Sequence, residues 1–180
     1  MRIFLNDTVA LPVDFQERIL PAVENGQDVL DRSVMLVKGL KILGVPFVVP
    51  RQYPKGLGDI LPEMREALGD YTPGDKLSFS ACGEASLKAQ FTALSRKNVI
   101  VFGIEAHVCV LQSVIDLKEL GYQPILVADC IGSRRRSDME YAIARARDEG
   151  AVVTTAEAIL FELTERAGTD VFKSISRLVK

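Results

Sequence analysis

Three short stretches of this 180-residue sequence set reactive side chains beside runs that read as strands. The first is Asp14-Phe15-Gln16-Glu17, directly after the apolar run Val9 to Val13. The second is Lys76-Leu77-Ser78-Phe79-Ser80, in which a lysine opens a short apolar strand ahead of the Ala81-Cys82-Gly83 turn. The third is Ile104-Glu105-Ala106-His107-Val108-Cys109, which follows the apolar run Val99 to Gly103 and ends at or beside the start of a helical pattern. A thiol is a poor nucleophile until it ionises. The partial positive charge of a helix N-terminus, with a lysine nearby, is expected to lower the Cys109 pKa, and the free N–H groups of that first turn could hold an oxyanion. Taken singly, these residues are also what ordinary domains contain, because buried cysteines are common at strand-helix turns and most lysines are solvated.

Other chemistries lack their residues. No glycine follows the first strand, so the turn that brings a pyrophosphate onto the N–H groups of a helix N-terminus is missing, and dinucleotide binding is disfavoured. Gly56-Leu57-Gly58 follows the second strand without a helix-opening third glycine, and no GxxxxGK(S/T) occurs. With 22 Lys plus Arg against 24 Asp plus Glu, the net charge is −2, and the one basic run is Arg134-Arg135-Arg136. Such a chain offers no broad attraction to phosphate backbones, so nucleic acid is not an expected partner. Cys82, Cys109 and Cys130 are three cysteines in no metal-like spacing, and His107 is the single imidazole. Reduced thiols, no structural zinc and no cofactor are the expectation. No window approaches the ~18 apolar residues of a membrane helix, and Met1 to Ala10 lacks an apolar segment ahead of a small-residue cleavage site, so a cytoplasmic protein without a membrane partner is expected.

The elements that must position these side chains alternate along the chain. Strand-length β-branched runs recur at Val9 to Val13, Val45 to Val49, Val99 to Gly103, Pro124 to Ala128 and Ala151 to Thr154. Helical patterns lie between them: Val29 to Leu43, stopped by Gly44; Glu84 to Arg96; Val110 to Leu120, stopped by Gly121; and Asp138 to Glu149, with Ser137 as N-cap and Gly150 beyond its end. Leu160 to Leu163 and Phe172 to Val179 suggest two closing helices. Gln52 to Gly58 and Gly69 to Gly74, rich in Pro and Gly, read as long loops. Alternation of strand and helix requires right-handed crossovers, and near-continuous apolar strands indicate a parallel sheet covered on both faces. The expected fold is α/β, a three-layer doubly wound sandwich of one domain, in which ligands bind beyond the carboxyl ends of the strands where strand order reverses.

With these residues in view, the chain resembles the isochorismatase-like cysteine hydrolases, a family that includes nicotinamidases and other small-amide hydrolases. The resemblance covers nearly the whole chain. It is carried by Val13-Asp14-Phe15-Gln16, by Lys76 with Phe79-Ser80, by Gly103-Ile104-Glu105-Ala106-His107-Val108-Cys109-Val110, and by the closing Val127-Ala128-Asp129-Cys130 and Val153-Thr154-Thr155-Ala156-Glu157. It implies a catalytic triad of Asp14, Lys76 and Cys109 and a mostly parallel six-stranded sheet whose first and fourth strands lie side by side. It further implies a cis peptide between Ile104 and Glu105, an oxyanion hole made by the N–H groups of Glu105 and Cys109, and a homo-oligomer. Two departures narrow the activity. Nicotinamidases hold a divalent metal through an Asp and two His, a set that a chain with only His107 lacks. True isochorismatases carry a non-nucleophilic residue where this chain has Cys109.

The resulting expectation is hydrolysis of a small amide-type substrate through a Cys109 thioester, with Asp14 as general acid and base and Lys76 as electrostatic partner. Two other readings stay open. One is non-covalent hydrolysis of the vinyl-ether kind, with Asp14 and Lys76 acting and Cys109 incidental. The other is a non-enzymatic role as an oligomeric scaffold or a redox-sensing thiol protein. Phe15, Ile104 and His107 are candidate pocket residues. Cys130 reads as packing, Gln16 as a loop holder, Glu17 as a charge near a helix start, and Arg134 to Arg136 as a solvated face.

Overall fold

The apolar runs become strands because they are buried on both faces, as the seven consecutive buried residues Asn98 to Ile104 illustrate. The computed structural model describes residues 1–180. Its strands are β1 (Thr8–Val13), β2 (Val49–Gln52), β3 (Pro73–Lys76), β4 (Asn98–Ile104), β5 (Gln123–Gly132) and β6 (Val152–Thr154). Its helices are α1 (Gly26–Ile42), α2 (Pro54–Leu57), α3 (Pro62–Leu68), α4 (Ala85–Leu94), α5 (Leu111–Glu119), α6 (Arg136–Asp148), α7 (Ala156–Thr164) and α8 (Asp170–Leu178). Every strand pairing is parallel. Helices α1 and α7 pack on β5, with α8 laid against those two helices, while α5 and α6 form a second set that also packs on β5. β1 and β4 are neighbours, as the resemblance implies.

The sheet is not one six-stranded ladder. β1-β4-β5-β6 form a four-stranded sheet and β2-β3 a separate two-stranded one, linked through a single bridge between Ala10 and Phe47. Prolines account for the break. Ala10 donates to the Pro46 carbonyl at 2.9 Å and accepts from the Val48 N–H at 2.9 Å. Two residues on, the same edge presents Pro12, and the residue that should donate back to it is Pro50. Neither has an N–H, so the ladder stops after one rung. For the same reason the strand expected at Val45 to Val49 forms only at Val49–Gln52.

Other local differences have equally plain causes. The strand expected to begin at Lys76 instead ends there, so Leu77 and Phe79, read as strand residues, are exposed by 73% and 53%. Part of the loop expected at Gly69 to Gly74 is that strand, and Pro54–Leu57, within the other expected loop, closes as one helical turn with Pro at its start. Helix α6 begins at Arg136 with Arg135 at the cap position, so Ser137 lies inside the helix and does not cap it.

Candidate active site

The carboxyl ends of β1 and β4 meet at the register pair Val13 and Gly103. Gly103 has φ +129°, and a Cβ there would stand 2.1 Å from the Val13 carbonyl oxygen, so only glycine lets the strand ends close up. Immediately beyond, Asp14 takes the left-handed conformation (φ 51°), which Asp tolerates better than most residues, and its side chain is wholly buried. β2 and β3 supply the other half of the site. Gln52 and Lys76 are register partners, so their side chains leave the small sheet on the same face. The Lys76 ammonium, also buried, donates to Asp14 Oδ2 at 2.8 Å, Gln52 Oε1 at 2.6 Å and the Phe79 carbonyl at 2.8 Å. Gln52 is itself clamped. Its backbone N–H donates to Gln16 Oε1 at 2.7 Å, its carbonyl accepts from Gln16 Nε2 at 2.9 Å, and its side-chain amide donates to the Leu77 carbonyl at 3.0 Å.

Cys109 arrives from β4 through a single wide turn, Ala106–Val110, in which the Val110 N–H reaches back to the Glu105 carbonyl at 3.2 Å; such π-type turns concentrate at functional sites. The α-helix proper starts only at Leu111. The Ile104-Glu105 peptide is cis, as the resemblance implies, and the Glu105 N–H donates to no group of the protein. The Glu105 carboxylate is held by Arg134, with Oε2 accepting from Nη2 at 2.8 Å and Oε1 from both Nε at 3.0 Å and the backbone N–H at 3.1 Å. The Arg134 guanidinium keeps this carboxyl below the usual carboxylate range. Arg134 is therefore part of the site wall and not a merely solvated face.

The electrostatics reverse one expectation. Burial first, then the Asp14 charge, push the Cys109 thiol up to about 12, against the pull of Lys76. Burial pushes the Cys82 thiol up to about 12 as well, so acidity does not single out Cys109. Its setting does. Burial also raises the Asp14 carboxyl above its ordinary value, with Lys76 and the adjacent Cys109 thiol pulling it down. Asp14 Oδ1 is buried without a hydrogen-bond partner, and the Cys109 thiol is close enough for this carboxylate and the thiol to shift each other's acidity. Moving the thiol proton to Asp14 leaves the buried cluster with one cation and one anion, as before. A thiolate formed by losing the proton to solvent would add a second anion to a dry site, which is far less favourable.

A cavity of about 360 Å³ opens onto Cys109, lined by Arg18, Ile19, Ala22, Gln52, Leu57, Phe79, Glu105, Val108 and Arg134. The structure thus gathers Asp14, Lys76 and Cys109, with Glu105 on the cavity wall. Phe15, Ile104 and His107 do not line it. Phe15 is core, its ring 6.1 Å from that of Phe102, and Ile104 is fully buried in β4. His107 turns to Ser133, with Nδ1 2.9 Å from Oγ. Cys130 is fully buried in β5. Sequence reasoning missed Gln52, Phe79 and Arg18 as site residues. Only the pairing of Gln52 with Lys76 across two short strands could have pointed to the first. No three His, Cys, Asp or Glu side chains are gathered as a metal-holding group. No helix is long and apolar enough to cross a membrane.

An open parallel α/β protein whose reactive side chains converge at the carboxyl ends of the adjacent strands β1 and β4 is the class that fold and site define. Residues 8–158 match the isochorismatase domain model. Isochorismatase domain-containing protein 1 of Salmo salar is 35% identical over 96% of this chain, which spans 61% of the length of that relative. Isochorismatase domain-containing protein 2 of Danio rerio is 33% identical over 99% of this chain and 89% of its own length. The solved structure of MAR1 ribonuclease from Caenorhabditis elegans superposes with a TM-score of 0.93 at 34% identity, covering 99% of this chain and 92% of that one. The chain belongs to the isochorismatase family.

Proposed function

We propose that the chain is a single hydrolase domain that cleaves a small amide through a Cys109 thioester. The observation that carries this reading is the buried Asp14–Lys76 pair set against the Cys109 thiol, with Oδ2 of Asp14 held by Lys76 and Oδ1 left without a partner. Asp14 accepts the thiol proton as sulfur attacks the substrate carbonyl carbon. The resulting oxyanion is held by the free Glu105 N–H together with that of Cys109. Collapse breaks the C–N bond, and Asp14 returns its proton to the departing amine. Asp14 then takes a proton from water as the water attacks the thioester, and the acid leaves as the thiol is restored. Lys76 offsets the single negative charge as it passes among Asp14, the sulfur and the oxyanion.

A protein acting on small molecules fits a cavity of about 360 Å³, at the small end of ligand pockets, better than a polymer substrate does. The net charge of −2 offers no footprint for a polyanion, so the activity in the name of the C. elegans relative is not the reading favoured here. A homo-oligomer is part of the same proposal, to be read by light scattering. The test is mass spectrometry of acid-quenched protein after incubation with a panel of small amides, alongside an RNA substrate. An acyl adduct on Cys109, with turnover abolished in Cys109→Ala, is the expected result. Turnover that survives Cys109→Ala would overturn the covalent mechanism and leave the vinyl-ether type of chemistry. Reversible thiol oxidation without any adduct would favour the redox role.

A further inference from the structure

The wall of the Cys109 cavity carries charge of known sign, and most of it is already cancelled. Asp14 and Lys76 neutralise each other out of contact with solvent. Glu105 has both carboxylate oxygens occupied by Arg134, whose Nε and Nη2 are thereby committed. What remains is Arg18. Its backbone N–H donates to the Leu57 carbonyl at 3.1 Å, and its side chain makes one bond, from Nη1 to the Gly56 carbonyl at 2.8 Å. It has no carboxylate partner, so most of the guanidinium donors of this exposed, cavity-lining residue are uncommitted. Apart from Gln52 and the paired Glu105 and Arg134, the rest of the lining shared by Arg18 and the thiol is apolar: Ile19, Ala22, Leu57, Val108 and the ring of Phe79.

Resting on the amide-hydrolase reading, we propose that the substrate is a short-chain carboxamide bearing a carboxylate at its far end, and that Arg18 binds that carboxylate. The amide lies at Cys109, the carbon chain runs along the apolar wall, and the planar guanidinium takes the carboxylate as an oriented two-point partner. A cationic substrate would meet an uncancelled positive charge, and the one carboxylate it could use is already held at both oxygens. A neutral amide would leave Arg18 unused.

The probes are succinamate and butyramide, two carboxamides of equal chain length of which only the first is anionic. They are titrated into Cys109→Ala protein, which binds without turnover, by calorimetry at low and at 0.5 M salt. Succinamate is expected to bind roughly tenfold more tightly than butyramide, the effect of one hydrogen-bonded charge. That preference should shrink in high salt, because a rim charge is screened. Adding Arg18→Gln should bring the two affinities together. Equal affinities with Arg18 present, a preference that survives Arg18→Gln, or binding of neither probe overturns the proposal. Hydrolysis by the wild-type chain separates the two readings. If both amides are turned over with the same kcat/KM, the Arg18 assignment fails and the thioester stands. If Cys109→Ala still hydrolyses succinamate, the thioester fails whatever the binding shows.

Discussion

Replacing Asp14 by Asn should make Cys109 more reactive and the protein inactive. The buried Lys76 ammonium requires an anion close by, and in the native site that anion is the Asp14 carboxylate at 2.8 Å. The substituted amide is neutral, leaving Lys76 with the neutral acceptors Gln52, Ser78 and Phe79, the Glu84 carboxylate beyond ion-pair distance, and the Cys109 thiol as the ionisable group nearest at hand inside the buried site. The thiol is pushed up to about 12, so fewer than about one molecule in 10⁴ carries free thiolate at pH 7.5. Two unit charges 4 Å apart interact by about 4 kcal/mol at an effective dielectric constant of 20. Removing even a third of that repulsion changes the thiolate population by roughly tenfold. The assay is the rate of iodoacetamide modification of Cys109 against pH, read by mass spectrometry with buried Cys82 and Cys130 as internal references. At least a tenfold faster reaction at pH 7.5 is expected, with a lower midpoint, while amide turnover falls by roughly 10²-fold or more for want of a base. Circular dichroism checks that the variant is folded. A folded Asp14→Asn protein whose Cys109 reacts no faster than in the native chain would refute the argument, because the sulfur would then not have inherited the negative charge that Asp14 supplies.

Three further outcomes follow from the same geometry. As the proposed base, Asp14 must be ionised, and burial raises its pKa, so kcat/KM should fall as pH drops through a point above the ordinary Asp value of about 4; an acid limb at or below 4 would contradict this. Gly103→Ala should destabilise the fold by more than about 2 kcal/mol in urea unfolding, since the new Cβ would meet the Val13 carbonyl at 2.1 Å in a backbone conformation only glycine adopts readily; native-like stability would show that the strand ends can part. Gln16→Ala strips partners from the Gln52 N–H and carbonyl and from the Gly58 carbonyl, and should lose roughly 3 kcal/mol together with most of kcat; full activity would show that the clamp on Gln52 is dispensable.

Asp14 and Cys109 were legible because both follow apolar runs, and side chains beyond the carboxyl ends of parallel strands are where such folds do chemistry. Lys76 was legible only through its resemblance to a family pattern, and its strand was read in the wrong direction. Leu77-Ser78-Phe79-Ser80 alternates as a half-buried strand should, yet the apolar members of that alternation face outward, Phe79 onto the cavity. Gln52 was hidden in a stretch whose Pro and Gly content suggested a loop, and its partner is 24 residues away. The Cys109 acidity was misjudged because a turn at a helix start is visible in one dimension, whereas desolvation depends on everything packed around the sulfur. Phe15 illustrates the same limit: one residue past a strand end, its ring turns inward to Phe102 and not to the cavity.

The proline break between β1 and the small sheet divides the work of the site between two pieces of chain. The proposed nucleophile Cys109, its proposed base Asp14 and the free Glu105 N–H follow strands of the four-stranded sheet, whereas Lys76 and the amide that steadies it belong to a two-stranded annex joined to that sheet by one rung of backbone hydrogen bonds. Substitutions between Val49 and Lys76 can therefore change the field at the sulfur, or reshape the cavity beside Leu57, while the strands that aim Cys109 stay as they are. Lineages that share this scaffold have in that annex a place to change what the site accepts without rebuilding how it reacts.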